Sequence, residues 1–572
     1  NGSISGDLTI ERYIPNTASN TQFHSIGALT GGDASKWTDD FSNGATAADG
    51  TPVIPHPNCR LDELAQNSPY GTLFSYDESN VTNCVLTGWR IRTAAAGTPR
   101  GLGFAAIIPA GTVIDETGPY ANSDVPLTNL SITQTNTSVT SKGYHLVANP
   151  FFAPLNWQAT FNANQLAGNN IDGTAYRFDP TAGIYGVYNL AIGIGEPFST
   201  NESFIVGAAD LNQTNYNLLL PASARTTGTN NGMLRQQQPY AYGLDVKVEA
   251  NNRYDKAWIV FDEKFTMQYD NGYDAIKMPS SKGVPTLYTR DSGNEKNAVL
   301  ALPANNPKVQ RVPLSVAIEY TGKHTFTFDL KSFPATAMVE LEDKKTGRRQ
   351  NLRVSNTYSF SANMADNAER FVLHFYPALQ TATQQSDCTG GNGSITLDQP
   401  GNVAWDYSLT DANNTHISSR KDFTGSTQIS DLPGGRYTLR LTHSSGYSVT
   451  QSIEVAAPAM TGAEIEAAVT EVQENEYVHL HGAIVGASSI QWNMGDGTII
   501  EDQTQISHSY NKAGTYTVTL TVSSGECTLS KSVTITVNKS SDPTGITQQE
   551  AGGIKVYGHG NTVYISQTAE RG

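Results

Sequence analysis

Two histidines placed two residues apart are the first candidates for chemistry in this sequence. His479 and His481 lie in an alternating segment, so in a β-strand both imidazoles project from the same face. Imidazole nitrogens are common zinc ligands. No third ligand stands at a suitable spacing in the sequence. The pattern alone therefore favours two solvated strand residues over a metal site.

Three aspartates in a Gly- and Tyr-rich stretch are candidates for calcium binding. They are Asp262, Asp270 and Asp274. Calcium takes carboxylate oxygens, but a calcium loop carries its acids more densely than this spacing allows. The sequence predicts no cofactor, leaves calcium open at these three residues, and favours a turn or solvated role for them.

Two tyrosines are candidates for glycan contact. Tyr185 and Tyr188 lie in a Gly-rich context and could stack against sugar rings, although tyrosines of a β-sandwich more often pack its core or rim. No GxSxG, HExxH or P-loop motif occurs. We therefore expect no enzyme within this chain.

The elements that must position these residues are β-strands. Alternation of apolar and polar residues recurs along the chain, as in His324–Leu330 (HTFTFDL) and Thr515–Val522 (TYTVTLTV). This period of two is typical of half-buried strands. Helical periodicity is limited to short pieces at 59–66 and 162–167. The sequence predicts an all-β protein.

Composition supports this fold class and excludes others. The chain has 572 residues with 51 Gly and 26 Pro, and 38% of its residues are hydrophobic, which fits several packed domains with many turns. A net charge of −16 argues against nucleic-acid binding. No apolar run approaches the roughly 20 residues that span a bilayer. The sequence begins at Asn1, so we expect a processed product or a piece of a longer protein.

The cysteines leave alternatives open. There are four, Cys59, Cys84, Cys388 and Cys527, without a CxxC pair, so a zinc knuckle is not expected. A Cys59–Cys84 disulfide would close a loop of about 25 residues and contribute roughly 3–4 kcal/mol. Two buried free thiols are the alternative.

A motif near the C-terminal end carries a family resemblance. Trp492–Thr498 (WNMGDGT) is followed by Tyr510 and by Gly514–Val518 (GTYTV). The segment resembles a PKD domain, an immunoglobulin-like sandwich common on surface proteins. We place this domain at residues 462–538.

The motif residues have structural roles that agree with the resemblance. Trp492 alternates inward with Met494, and Gly495-Asp496-Gly497 supplies a turn with positive φ angles. Gly514 sets the entry of a strand, and Tyr516 fills the core. Asp496 invites a catalytic or calcium role, but turn geometry explains it more simply.

Three further segments resemble parts of Bacteroidota surface proteins. Residues 381–457, with Cys388 near the start and Leu432–Leu439 (LPGGRYTL) near the end, are similar to immunoglobulin-like repeats of long adhesins. Such repeats usually have a second cysteine where Gly446-Tyr447 stands here, so Cys388 is either free or bridged to Cys527. The first 380 residues, with pieces such as Gly6–Pro15 and Leu146–Phe151, resemble a recurrent architecture of secreted surface proteins. Residues 551–572 resemble the beginning of the sorting domain that the type IX secretion system recognises.

The expected architecture is a series of tandem antiparallel β-sandwich domains of the Ig-like and PKD type after a larger N-terminal β-rich region. Polar linkers and Pro residues place the boundaries. The predicted pieces are 1–235, 236–380, 381–457, 462–538, a linker at 539–550 and a truncated sorting domain at 551–572.

The predicted function is non-catalytic. We expect a secreted structural or adhesion protein on the outer cell surface, exported by the type IX machinery, with no membrane span. Only 16% of residues are charged, which suits lateral packing of β surfaces, so copies of the same chain or other surface proteins are the expected partners, in a homomeric appendage or filament. Glycans or a host or prey cell surface are further expected partners. The alternative is a train of carbohydrate-binding modules from a larger secreted enzyme.

Overall fold

The structure of this chain is a computed structural model that describes most of the sequence. The described residues are 6–14, 23–37, 48–49, 73–81, 88–94, 96–109, 111–119, 121–135, 142–180, 182–189, 197–226, 240–304, 310–387, 391–457, 462–524, 527–540, 550–551, 554–559 and 562–567.

The chain divides into two compact units, which are described separately. Unit 1 contains residues 1–379 with 399–403 and 444–447, and unit 2 contains 380–398, 404–443 and 448–572.

The first part of unit 1 consists of short strands in four small sheets and one helix. The strands are β1 (Asp7–Tyr13), β2 (Phe23–Gly27), β3 (Leu73–Tyr76), β4 (Trp89–Ile91), β5 (Gly103–Ile107), β6 (Val113–Pro119), β7 (Val125–Ser131), β8 (His145–Ala148), β9 (Ala175–Asp179), β10 (Ile184–Tyr188), β11 (Ser203–Val206) and β12 (Asn215–Leu220). Their sheet orders are β1-β6, β2-β5-β3-β4, β7-β12 and β10-β9-β11-β8. Three 3-10 helices lie at Ala34–Trp37, Glu78–Asn80 and Ala222–Ala224.

Helix α1 (Trp157–Leu166) overlaps the helical piece expected at 162–167 but begins earlier. It starts there because the Asn156 side chain accepts a hydrogen bond from Ala159 N at 2.9 Å, which caps the first turn. Its inner face buries Trp157 and Phe161. In the part of the chain that the structure describes, no helix has both the length and the apolarity needed to cross a membrane.

The second part of unit 1 is an eleven-stranded sheet folded around an aromatic core. Its strands are β13 (Tyr242–Ala250), β14 (Arg253–Asp262), β15 (Ala275–Ile276), β16 (Thr286–Arg290), β17 (Lys296–Pro303), β18 (Gln310–Ala317), β19 (Gly322–Lys331), β20 (Met338–Asp343), β21 (Arg348–Asn351), β22 (Thr357–Ala362) and β23 (Phe371–Tyr376). The order is β21-β20-β23-β18-β16-β17-β14-β13-β19-β22, with β15 beside β17. Phe326 and Phe328 of β19 are buried while Thr327 and Asp329 are exposed, which confirms the alternation predicted for this strand.

Unit 2 begins with a two-sheet sandwich. Its strands are β24 (Gln380–Gln384), β25 (Gly393–Gln399), β26 (Trp405–Thr410), β27 (His416–Phe423), β28 (Gly425–Leu432), β29 (Gly435–His443) and β30 (Ser448–Val455). One sheet has the order β24-β25-β28 and the other β27-β26-β29-β30. Trp405, Leu409, Leu439 and Leu441 are buried between them.

A second sandwich follows in unit 2. Its strands are β31 (Gly462–Ala467), β32 (Glu471–Gln473), β33 (Tyr477–Val485), β34 (Ser489–Asn493), β35 (Ile499–Glu501), β36 (Gln505–Ser509), β37 (Gly514–Ser524) and β38 (Cys527–Asn538). The two sheets have the orders β31-β33-β36 and β32-β38-β37-β34-β35. Among the described residues, β14–β17 and β32–β38 are parallel pairs, whereas strand neighbours such as β19–β22, β26–β29 and β37–β38 pair antiparallel. The fold class predicted from the sequence, tandem all-β sandwiches, is confirmed.

The last described strands are β39 (Glu550–Ala551), β40 (Ile554–His559) and β41 (Thr562–Gln567), and β40 and β41 form an antiparallel hairpin. Most of the predicted linker 539–550 lies outside the described residues. The domain boundaries proposed from the sequence stay predictions.

The predicted Cys59–Cys84 pair lies outside the described residues, as does Cys388. Cys527, at the start of β38, is disulfide-bonded.

Candidate functional site

A groove in unit 1 brings together aromatic and charged side chains from distant parts of the chain. Its volume is about 730 Å³. Its walls come from β1, β9, β10, β14 and the segments near Glu202, Lys277 and Ala298. The polar and aromatic lining residues are Arg12, Arg177, Asp179, Tyr185, Tyr188, Glu202, Tyr254, Asp255, Lys256, Trp258 and Lys277. Both tyrosines predicted to contact glycans therefore line the same groove.

Tyr188 is held in place by Arg177. The Arg177 guanidinium lies 4.8 Å from the Tyr188 ring centroid, and its Nη1 donates a hydrogen bond to the Tyr188 hydroxyl at 2.8 Å. Its Nη2 donates to Glu202 Oε2 at 3.0 Å, and Arg177 Nε also pairs with the Glu202 carboxylate. Glu202 is buried and also accepts from Ser199 N at 2.6 Å. These contacts fix one wall of the groove.

Tyr185 packs on the same sheet in a different way. Its ring centroid lies 5.1 Å from that of Phe178 on the neighbouring strand β9. Burial raises the pKa of the Tyr185 hydroxyl above its ordinary value, so this group stays neutral at physiological pH. A neutral, half-buried phenol can donate and accept hydrogen bonds but does not act as an anion.

A buried ion pair supports the opposite wall. Lys277 Nζ lies 2.6 Å from Asp255 Oδ1, and both side chains are nearly inaccessible to solvent. Asp255 also accepts hydrogen bonds from Lys256 N at 2.8 Å and from Leu287 N at 2.7 Å. The Asp255 carboxylate is thus satisfied inside the protein, and the pair ties β14 to the segments after β15.

Removal of one partner of this pair should destabilise unit 1. Lys277→Met leaves the Asp255 charge buried without its cation, which typically costs about 3–5 kcal/mol. Differential scanning calorimetry of the full chain would show a lower midpoint temperature for the unfolding transition of unit 1. Lys256→Met, which changes an exposed lysine next to Asp255 on β14, is the matched control and should have little effect. Equal midpoints for the two variants would contradict the assigned role.

The three calcium candidates each accept hydrogen bonds from backbone N–H groups. Asp262 Oδ1 accepts from Lys264 N at 3.2 Å, and Asp270 Oδ2 accepts from Thr266 N at 2.7 Å. Asp274 is buried, with its two oxygens accepting from Asp270 N and Ala301 N, each at 2.7 Å. Among the described residues, no group of three or more His, Cys, Asp or Glu side chains is arranged to hold a metal. The hydrogen bonds give these aspartates turn-forming and strand-anchoring roles.

Burial raises the pKa of the Asp274 carboxyl group far above the ordinary value for aspartate. Desolvation, with smaller contributions from the charges of Asp270 and Asp291, raises the pKa of Asp274 to about 7. The folded state therefore binds this proton more tightly than the unfolded state, whose aspartates titrate near about 3.9. Between these two values, the contribution of Asp274 to stability falls as pH rises.

Asp274→Asn should flatten the dependence of unit 1 stability on pH from about 4 to about 7. The variant must be compared with the wild type at each pH, because burial lowers the pKa values of His24, His145 and His324, and these groups act in the opposite direction. Thermal midpoints across this pH range provide the measurement. Parallel curves for the two proteins would show that Asp274 does not titrate there.

The GDG turn of unit 2 has the geometry that its sequence predicts. Gly495 and Gly497 have φ angles of +80° and +97°. A Cβ on Gly495 would lie 2.6 Å from Thr517 O, so only glycine fits there. On the flanking strand, Trp492 and Met494 are fully buried. The turn therefore follows directly on two buried core residues, Trp492 and Met494, and leads the chain out to the surface.

Both carboxylate oxygens of Asp496 accept a hydrogen bond. Oδ1 accepts from Thr498 N at 2.9 Å, and Oδ2 accepts from His508 Nε2 at 2.8 Å. Burial alone would raise the pKa of Asp496, but these hydrogen bonds outweigh it and lower the pKa. The contacts give Asp496 the turn-holding role favoured by the sequence.

Two tyrosines of the motif hold the turn next to the sheet, one through a hydrogen bond and both through ring stacking. The Tyr510 hydroxyl donates to Met494 O at 2.8 Å, and its ring stacks on Tyr516 with centroids 4.0 Å apart. Burial raises the pKa of Tyr510 to about 12. Tyr516 is half-buried at the rim of the core, and Gly514 begins β37 as predicted.

Gly495→Ala should destabilise this sandwich by roughly 1–3 kcal/mol, because alanine there is strained at positive φ and collides with β37. Gly514→Ala is the matched control, since its added Cβ would find its nearest neighbour, Tyr516, at 3.8 Å. Hydrogen exchange measured on peptides from residues 490–537 should rise sharply in the first variant and little in the second. The reverse order would contradict the turn geometry.

Comparison with known proteins assigns part of unit 2. The family model described as "PKD domain" matches residues 455–537. Residues 455–537 are therefore similar to a PKD domain. This match confirms the PKD resemblance of the motif, while the bounds 462–538 stay a prediction. The site residues Trp492, Asp496 and Tyr510 all belong to it.

One curated relative matches part of the chain. The chain is 31% identical over 133 residues to the minor fimbrium subunit Mfa5 of Porphyromonas gingivalis, a match that covers 23% of this chain and 10% of the relative. The chain thus spans about a tenth of the length of this relative.

Some solved structures are weakly similar to this chain. Fibronectin(III)-like modules of Clostridium thermocellum CbhA are 12% identical, with 30% of this chain and 99% of that chain covered and a TM-score of 0.16. The mouse nectin-like molecule 4 ectodomain is 11% identical, with 45% of this chain and 90% of that chain covered and a TM-score of 0.20.

The groove joins residues that the sequence analysis did not single out. Arg177, Glu202, Asp255, Lys277 and Trp258 stand in ordinary strand contexts, and their partners lie 22 to 25 residues away in the two ion pairs. No local pattern marks such pairs. Tyr185 and Tyr188 could be picked out from the sequence because they lie in a Gly-rich context.

Proposed function

We propose that this chain is a non-catalytic protein of the bacterial cell surface that acts in adhesion or as part of a surface structure. The observation that carries the proposal is the PKD domain at 455–537, in the same chain as a region similar to a fimbrium subunit. The tandem sandwiches provide a series of modules with extensive outer faces.

The state of the charged groups in the groove supports a non-catalytic role. Arg177 is paired with Glu202, and Lys277 with Asp255. General acid–base catalysis needs a group that can exchange a proton with a substrate. Groups held in internal ion pairs serve the architecture of the walls instead.

A surface location can be tested in the source bacterium. Protease added to intact cells should degrade the full-length protein, and deletion of its gene should reduce attachment of the cells to a surface or to other cells. Complementation should restore attachment. Protection of the protein until the cells are lysed would contradict the proposal.

Export through the type IX route is the finer form of this proposal. It is supported by the resemblance of residues 551–572 to the beginning of a sorting domain and by the hairpin β40–β41. In a strain without a working type IX system, the protein should remain in the periplasm. Unchanged surface display in that strain would leave a surface protein with another export route.

Assembly into a homomeric appendage is supported by the low proportion of charged residues and by the similarity to a fimbrium subunit. Light scattering of the purified chain at increasing concentration, with negative-stain microscopy, should show ordered oligomers. A monomer at every concentration would contradict homomeric assembly and leave adhesion by single chains.

Glycan binding is the second candidate, and the groove favours it. A volume of about 730 Å³ lined by Tyr185, Tyr188, Tyr254 and Trp258 can accommodate a short oligosaccharide with its rings against aromatic side chains. Tyr185→Ala and Lys256→Ala should abolish or weaken glycan-array signals. Tyr320→Ala, an exposed tyrosine outside the groove, is the control. Signals that are absent, or equal in all variants, would exclude this groove as a glycan site.

A further inference from the structure

The outer face of one PKD sheet presents two histidines side by side. Val478 and Leu480 of β33 point into the core, whereas His479 and His481 point outward. The PKD core therefore does not use either imidazole. Tyr477, which is 60% exposed, precedes them on the same face.

The neighbouring strands orient both imidazole rings through Nδ1. His479 Nδ1 lies 2.7 Å from Ser507 Oγ on β36, and His481 Nδ1 lies 3.0 Å from Glu466 Oε2 on β31. These two strands flank β33 on opposite sides. Nε2 lies across the imidazole ring from Nδ1, so in each histidine it points away from the neighbouring strand that holds Nδ1.

The Glu466 contact also favours one tautomer. A carboxylate accepts the proton of Nδ1, which leaves the lone pair on Nε2 of a neutral His481. A histidine whose second nitrogen is held by a carboxylate or hydroxyl is the arrangement that supports metal ligands in proteins. The register pairs Glu466 with His481 and Ser507 with His479, so these contacts are cross-strand neighbours rather than chance approaches.

We infer that Nε2 of His479 and Nε2 of His481 together bind one divalent first-row transition metal ion, such as Zn²⁺. Residues two apart on a strand are separated by about 6.6 Å, so the two exposed rings can turn towards each other and place both Nε2 atoms at bond distances of about 2.0–2.1 Å from one ion. Imidazole ligands suit Zn²⁺, Ni²⁺ and Cu²⁺ and not Ca²⁺.

The site has two protein ligands. Within the described ranges no third His, Cys, Asp or Glu completes a metal cluster, so water or a group from another molecule fills the remaining positions. Binding should accordingly be weaker and more readily reversible than at a four-ligand structural zinc site.

Isothermal titration calorimetry of the untagged full chain with Zn²⁺ tests the inference. The wild type should bind one ion that the double variant His479→Gln/His481→Gln does not bind. Each single variant should lose at least tenfold in affinity, and Glu466→Gln should lose less. All three residues lie on the outer face of the sheet, so far-ultraviolet circular dichroism without metal should be unchanged.

His416→Gln is the matched control, because His416 is exposed on strand β27 and has no histidine two residues away. It should bind Zn²⁺ as the wild type does. Zn²⁺ should also raise the midpoint of the PKD transition in the wild type but not in the double variant. The inference fails if the double variant keeps the same affinity, if one histidine is sufficient, or if no binding occurs at millimolar Zn²⁺.

Discussion

A β-strand sends alternate side chains to opposite faces, and a sandwich of two sheets can bury only one of those faces. In β19, Phe326 and Phe328 are buried, and in β37 Val518 and Leu520 are buried. The inner positions are therefore taken by packing. Recognition has to come from the outer faces, from the turns, or from places where neighbouring sheets leave a gap. This protein has one candidate site of each kind. The PKD sheet face is an outer face, Gly495-Asp496-Gly497 is a turn, and the groove is a gap between neighbouring sheets.

Pairing of charges makes the groove possible. An unpaired ionised group in a sheet interior would be strongly destabilising. Arg177 with Glu202 and Lys277 with Asp255 place four charges around the gap while each remains neutralised by its partner. The same pairing holds the strands that carry Tyr188 and Trp258, so the aromatic lining is positioned before any ligand arrives. Such preorganisation reduces the entropy lost on binding.

The parts of this structure that could be predicted from sequence are those with a local cause. Alternation predicts the strands, and Gly495-Asp496-Gly497 predicts the turn because both glycines need positive φ angles. The groove could not be predicted, since its lining comes from strands as distant in sequence as β1 and β17. The start of α1 was missed because its cap, Asn156, follows a proline-containing loop and precedes only ten helical residues. The Nδ1 partners of His479 and His481 could not be predicted from the sequence either, because they depend on the register of β33 with β31 and β36.

The sheet face also connects the proposed metal site to the proposed surface role. Because His479 and His481 add nothing to the PKD core, a site on this face can be gained or lost with little effect on folding. Two protein ligands alone give modest affinity and leave coordination positions open. An open position on a shared ion can be filled by a histidine of a second molecule, and in an array of many copies such weak links act together through their high effective concentration. A two-ligand site is thus better suited to reversible contacts between surface proteins than to permanent stabilisation of a single domain.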